Sequence, residues 1–156
     1  MPLIALLLAW IYGHILEYVL HRYVLHPMGM LRSKTGQHVH TPLDFHWKEH
    51  HRQARKLSMM DGSSWKESMA LGFLLLLHLP LIWFMPWFYA GLIASSLHYL
   101  YVHGKAHTRY GWAMRHVPWH YTHHMGKDQN SNWGVRSDMI DRIVGTRTDL
   151  DGKKRL

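Results

Sequence analysis

From Ser68 to Gly104 the chain has no Asp, Glu, Lys or Arg, a run of thirty-seven residues. About twenty apolar residues cross a bilayer as a helix, so this run is long enough for two passes. Pro86, in FMPWFY, lies near its midpoint, where a proline removes a helical hydrogen bond and favours a turn. The pattern predicts a membrane hairpin with helices over about 68–85 and 87–104. A third apolar stretch, PLIALLLAWIYGHILEYVL, opens the sequence, and Met1–Leu16 carries no charged side chain. It lacks the basic start and small-residue cleavage site of a signal peptide, which predicts a retained membrane helix over about 2–20.

The polar positions orient these helices. All eighteen Lys and Arg lie at Arg22 or later and outside the hairpin. Residues 21–67 and 105–156 therefore fall on one side, which the positive-inside rule makes cytoplasmic. The expectation is an all-α integral membrane protein of a single domain, 1–156, with about three transmembrane helices carrying a cytoplasmic helical cap. The chain has no cysteine, so cysteines introduced at Ser33, Ser58 and Ser131 would report this arrangement without a background thiol.

Composition narrows the chemistry. A net charge of +8 and a mean hydropathy of −0.22 average over two apolar blocks and strongly polar ones. The basic surface suits anionic headgroups or an acidic protein partner. Nucleic acid does not fit, because the basic residues are scattered and no nucleic-acid-binding motif occurs. The absence of cysteine excludes disulfides, thiolate zinc sites and cysteine-ligated iron–sulfur clusters.

The sixteen histidines then stand out. Ten fall into four boxes: His21/His26, His46/His50/His51, His103/His107 and His120/His123/His124. Neutral imidazole is the commonest protein metal ligand. On a helix His46 and His50 lie within about 40°, with His51 turned roughly 100° further, so the doublet can feed two metals; His120, His123 and His124 repeat the device. His103 and His107 share a face. His21 and His26 diverge by about 140° on a regular helix, and Pro27 is expected to free His26 from helical geometry so that it swings inward. Four segments then surround one centre, read as a histidine-rich dinuclear metal site in the cap.

The remaining histidines have simpler readings. His14 and His78 fit packed or hydrogen-bonded membrane histidines, and His38, His40 and His116 fit loop residues. His98 makes a five-residue pair with His103 but faces about 180° from His107 on a helix. A histidine-rich surface binding metal adventitiously is the plain alternative for the boxes. Ten ligands overfill one zinc and fit two loosely, and no H-E-x-x-H supplies a metalloprotease base. Imidazole also suits iron, and two irons with about five rings each would use all ten. Carboxylates are expected to orient the rings through their second nitrogens. Glu17, Asp44, Glu49, Asp128, Asp138 and Asp141 are the candidates, each equally readable as a surface charge or helix cap.

HRYVLH, FHWKEHH, HGKAH and HYTHH, in this order and interrupted by a membrane hairpin, resemble the histidine boxes of the fatty acid hydroxylase and sterol desaturase superfamily. NSNWGVRSDMIDRIVGT is similar to that superfamily's closing stretch, and the resemblance runs from about Glu17 to Thr146. It implies a membrane-bound non-haem di-iron oxygenase, in a bacterial inner membrane or the endoplasmic reticulum, that oxidises a lipid C–H bond with dioxygen. Its ligands by matching position would be His21, His26, His46, His50, His51, His103, His107, His120, His123 and His124, holding two iron ions that zinc can replace on purification. No haem-attachment, flavin or nicotinamide motif occurs, so electrons would come from an external donor such as an acidic ferredoxin or b-type cytochrome.

The sequence departs from the superfamily in two ways. Only about twenty residues precede the first box, fewer than relatives have, leaving a partner subunit, and so a homo-oligomer, as a way to complete the substrate tunnel. The second box has three residues before its doublet instead of two, which makes His46 the least secure ligand. Fatty acyl hydroxylation leads; carotenoid ring hydroxylation and lipid desaturation share the architecture, and a non-enzymatic membrane metal carrier or sensor is the reading from another class.

Overall fold

Prolines set several helix boundaries. Pro2, Pro27, Pro86 and Pro118 each stand in the first turn of a helix, where the missing N–H falls among donors that have no intrahelical partner anyway. The structure is a computed structural model and describes residues 1–32, 35–62 and 64–155. Its elements are α1 (Pro2–Leu20), a π-helical turn (His21–Leu25), α2 (His26–Gly29), a second π-helical turn (His46–His51), α3 (Arg52–Lys56), α4 (Trp65–Leu77), α5 (Leu81–Phe84), α6 (Pro86–Ala106), α7 (Tyr110–His116), α8 (Pro118–Met125) and α9 (Met139–Val144). The described residues contain only two isolated β-bridges, Arg32 with His38 and Thr148 with Lys154. The protein is all-helical.

The outgoing arm of the expected hairpin differs from the expected 68–85. Helix α4 starts earlier, with the Ser64 side chain accepting a hydrogen bond from the Lys66 amide at its N-terminus, and ends at Leu77. The chain turns at His78–Pro80 before α5, because Pro80 cannot continue a helical hydrogen-bond ladder. A helix boundary falls at Pro86, as expected. The returning arm, α6, runs two residues past the expected end at 104. Among the described residues one continuous helical stretch, Pro2–Gly29, is both long and apolar enough to cross a membrane.

Helix α1 packs along α6, and small residues permit the approach. A Cβ added to Gly91 would lie 2.6 Å from the Ala9 Cβ, and one added to Gly13 would lie 2.2 Å from Ser95 Oγ. Ala9 and Gly13 on one helix thus meet Gly91 and Ser95 on the other at matching four-residue spacing, the close backbone packing that membrane helices favour. Both numbers rise together, so the helices are parallel. Their C-terminal ends, which carry His21 and His103, come to the same end of the molecule.

A small apolar core of Met59, Val102, Ala106, Ala113, Val117 and Val135 lies there, bordered by Tyr99, Trp112, Trp119 and Tyr121. The other end is apolar outside: Leu3, Leu7, Phe73, Leu76, Trp83, Phe84 and Leu97 are all more than half exposed. Of the thiol-labelling positions, Ser58 is exposed, Ser131 is buried and Ser33 lies outside the described residues.

Gly13→Leu should force α1 and α6 apart and cost about 1–3 kcal/mol, as overpacking does. Gly72→Leu has open space around its Cβ and should leave thermal unfolding in detergent unchanged. Equal melting temperatures for the two variants would contradict the crossing.

Candidate metal centre

The two π-helical turns decide where the first two boxes point. In the first, the His26 amide donates to the His21 carbonyl, an i to i+5 bond that brings residues five apart onto one face. His26 keeps helical angles, φ −66° and ψ −53°, so it does not swing free of the helix as expected. Pro27 acts differently: lacking an N–H, it cannot make the next α-helical bond, and the wider register accommodates that loss. In the second turn the Arg52 amide donates to Trp47 in the same i to i+5 register. His46 therefore shares a face with His51, not with His50 as a regular helix predicts.

All ten box histidines are buried, none more than 4% exposed, and the structure brings them into one cluster. Ligand nitrogens of His21, His26, His46 and His51 lie within 4.8 Å of one another, as do those of His50, His103, His107 and His124. His123 joins the first group, with Nε2 3.2 Å from Nε2 of both His26 and His51. His120 joins the second, its Nε2 3.1 Å from that of His107. The groups meet where the His51 and His124 rings lie 4.4 Å apart.

These contacts fit metal ions better than hydrogen bonds. Nε2 atoms of His26, His51 and His123 form a triangle with edges of 2.9, 3.2 and 3.2 Å. A neutral ring nitrogen either donates or accepts, so among three mutual neighbours at least one pair must be alike and repel. A cation that accepts all three lone pairs removes the conflict, and metal–nitrogen bonds of about 2.0–2.1 Å place neighbouring ligand atoms roughly 2.9–3.4 Å apart. Nε2 of His21, His46, His50 and His124 is also buried without a hydrogen-bond partner.

Several of the second nitrogens have neighbours that fix the rings, whereas Nδ1 of His26, His120 and His124 is buried without a hydrogen-bond partner. His21 Nδ1 donates to the Trp133 carbonyl (2.6 Å) and His123 Nδ1 to the Ser131 carbonyl (2.7 Å). His107 Nδ1 donates to Asp61 Oδ1 (2.6 Å), and His103 Nδ1 lies 2.9 Å from Glu67 Oε2, close but off the hydrogen-bond direction. Asp61 Oδ2 and Glu67 Oε1 also stand 3.5 and 3.7 Å from His50 Nδ1. Neither carboxylate is among the six the sequence suggested. Asp61 hides in a polar loop. Glu67 ends at the edge of the uncharged run, where a carboxylate one residue from membrane-type sequence is the available signal.

The six suggested acids do other work. Glu49 pairs with Lys66, Asp44 with Lys48 and His40, and Asp138 with Arg142 and Arg147, while Asp128 accepts from the Asn130 amide. Asp141 and Glu17 hold the closing stretch in place. Asp141 accepts from the Trp133 and Gly134 amides (both 2.8 Å) and from Thr146 Oγ1. Glu17 accepts from the Val135 amide and from Arg136 Nε, in a pair almost wholly buried. These bonds place the two carbonyls that orient His21 and His123. Asn132, with a left-handed φ of 57°, fixes the same stretch by accepting from the Thr148 amide.

The other six histidines stay outside the cluster. His14 and His98 pack on Trp10, His78 bonds Tyr12 and Leu74, and His116 stacks on Trp112. His38, His40 and Asp44 gather into a small group of their own, but Lys48 Nζ already donates to both Asp44 and His40, placing a cation where a metal would need one.

Burial holds His46, His51, His120, His123 and His124 well below the usual imidazole value of 6.5. His107 falls to about 3, through burial first and the neighbouring His103 second. For Asp61, burial pushes the carboxyl up, but its bonds to His107 and His50 outweigh that and keep it below the usual carboxylate range. These six rings are thus neutral at physiological pH, the state that ligates metal.

The fatty acid hydroxylase family matches residues 6–146, which include all ten box histidines. Comparison with curated proteins and with solved structures gave no match.

Rings kept neutral in the fold but free to protonate when unfolded make the unfolded state bind more protons below pH 6.5, so stability falls with pH in that range. Metal-free protein should therefore lose thermal stability progressively as pH drops from about 6.5 towards about 3, the His107 value. A melting temperature that stays flat between pH 7 and 5 would show that the rings are not held neutral.

Proposed function

We propose that this chain, which belongs to the fatty acid hydroxylase family, is a membrane-bound di-iron oxygenase that hydroxylates a C–H bond of a lipid, most simply a fatty acyl chain. The observation that carries this reading is the position of the histidine cluster against an apolar cavity. A cavity of about 810 Å³, within the range of about 300–1,000 Å³ usual for small-molecule sites, lies between α1, α4 and α6. Leu16, Leu20, Phe45, Phe73, Leu92 and Val135 line it, and His21, His46 and Glu67 stand on its wall. A hydrocarbon chain bound there meets the cluster directly.

Two iron ions, held by the two groups of five imidazoles, would supply the activation of dioxygen. The protein's own part is to keep ten rings buried and aimed, to exclude water with the apolar lining, and to fix which carbon meets the cluster. One oxygen atom enters the C–H bond as hydroxyl and the other leaves as water, which takes two electrons and two protons from outside. An acidic ferredoxin or b-type cytochrome suits a chain of net charge +8. A second copy of the chain is the candidate to complete the cavity walls.

The same reading puts α1, the α4–α5 arm and α6 in the bilayer, with the cluster in a cytoplasmic cap. The exposed apolar faces of these helices support it, since an aqueous surface rarely carries so large an apolar patch. The confinement of every Lys and Arg to residues 22–67 and 105–156 supports the orientation.

Membranes supplied with reductant and donor should form a hydroxylated lipid whose new oxygen comes from heavy-oxygen gas and not from heavy-oxygen water. His51→Ala or His124→Ala should abolish turnover, whereas Glu49→Gln, on the exposed surface, should retain it. Metal uptake with no oxygen-dependent product from acyl lipids, sterols or carotenoids would mark a metal carrier instead. Cysteines at Ser58 and Asn130 should be labelled from the cytoplasmic face and one at Phe84 from the opposite face; the reverse pattern, or one face for all three, would refute the topology.

A further inference from the structure

The two groups of five imidazoles have different surroundings. Behind His50, His103 and His107 stand two carboxylates, Asp61 and Glu67, the nearest at 2.6 and 2.9 Å. Behind His21 and His123 stand backbone carbonyls, and the Gln129 amide lies 3.4 Å from His51 Nδ1. Among the described residues no carboxylate oxygen comes within 4.0 Å of a ring nitrogen in that group. The fold also accepts local strain to place Asp61. Ser58 and Met59 adopt left-handed φ values of 51° and 66°, unfavourable for non-glycine residues, and Met59 is fully buried. The Gly62 amide then donates to the His107 carbonyl, pinning the loop against the ring that Asp61 holds.

Resting on the di-iron reading, we propose that the two metal positions are unequal. The one formed by His50, His103, His107, His120 and His124 fills first and holds its ion tightly. The one formed by His21, His26, His46, His51 and His123 fills second, exchanges more readily and faces the lipid.

Electrostatics dictates the order. A divalent ion bound by neutral rings keeps its full charge, and an uncompensated charge in a dry interior is costly. Two carboxylates offset that charge at the first position and raise the basicity of its rings, an effect that commonly amounts to about 10- to 100-fold in metal affinity. The second position has no such offset and also feels the first ion. Its cation is the more electrophilic of the two.

The cavity supplies the independent observation. Of the ten rings, the two on its wall are His21 and His46, both from the group without carboxylates. The ion with the least charge compensation therefore borders the hydrocarbon.

The test is a zinc titration of metal-free, full-length protein in detergent, read by calorimetry with a competing chelator. Two ions per chain should bind in steps at least about 10-fold apart in affinity. Asp61→Asn and Glu67→Gln, which keep shape and remove charge, should each weaken the tighter step about 10- to 100-fold and change the weaker step little. His46→Ala should remove the weaker step and leave one tight ion, and circular dichroism of each variant reports that it is folded. Two steps of equal affinity, an equal loss in both steps for Asp61→Asn, or loss of the tight step in His46→Ala would overturn the inequality while leaving a dinuclear centre intact. Binding of one ion or fewer by unaltered protein would overturn both the inequality and the di-iron reading.

Discussion

Ten buried imidazoles packed into one volume cannot satisfy each other. Three Nε2 atoms at mutual hydrogen-bond distance always include two of a kind, and the His26, His51 and His123 triangle concentrates that conflict at the heart of the fold. The surrounding structure follows from it. The rings are buried, the outer nitrogens of His21, His107 and His123 are occupied so that their inner ones present lone pairs, and four distant segments arrive together. The carbonyls of Ser131 and Trp133, the carboxylates of Asp61 and Glu67, and the parallel crossing of α1 on α6 each serve one of these requirements.

Much of this is visible in the linear chain because its signals are coarse and redundant. Clustered histidines, an uncharged run split by Pro86 and the segregation of basic residues identify the helical class, the box residues and the helix boundary at Pro86 without reference to tertiary contacts. Finer geometry is lost for an equally physical reason. A residue-spacing argument assumes 3.6 residues per turn, and at His21–Leu25 and His46–His51 the helix widens to the π register. That change reassigns His46 from His50 to His51 and makes a five-residue spacing, which diverges by about 140° on an α-helix, the productive one. Pro80 breaks the run as Pro86 does, but only Pro86 divides it into two arms of nearly equal length.

The carboxylates illustrate a different limit. Glu17 and Asp141 lie near boxes or the closing stretch and look like ring partners, yet they act one step further out, on the loop whose carbonyls touch the rings. Asp61 and Glu67 reach the rings only because the loop after α3 doubles back beneath His107. Such proximity is a property of tertiary closure, and sequence distance carries no trace of it. Tertiary closure also gives the cluster a polarity: among the described residues two carboxylates stand on one side and none comes within reach on the other, which a count of ten equivalent histidines does not reveal.

The buried pair of Glu17 and Arg136 joins the first helix to a segment more than a hundred residues later. Tyr18 and His21 on the same helix likewise reach Thr146 and Trp133. During synthesis Glu17 enters its apolar surroundings long before its guanidinium partner exists, so the helix that starts the molecule stays electrostatically unfinished until the closing stretch leaves the ribosome. Assembly is thereby ordered in time: His21 can take its partner, the Trp133 carbonyl, only after translation has passed that residue.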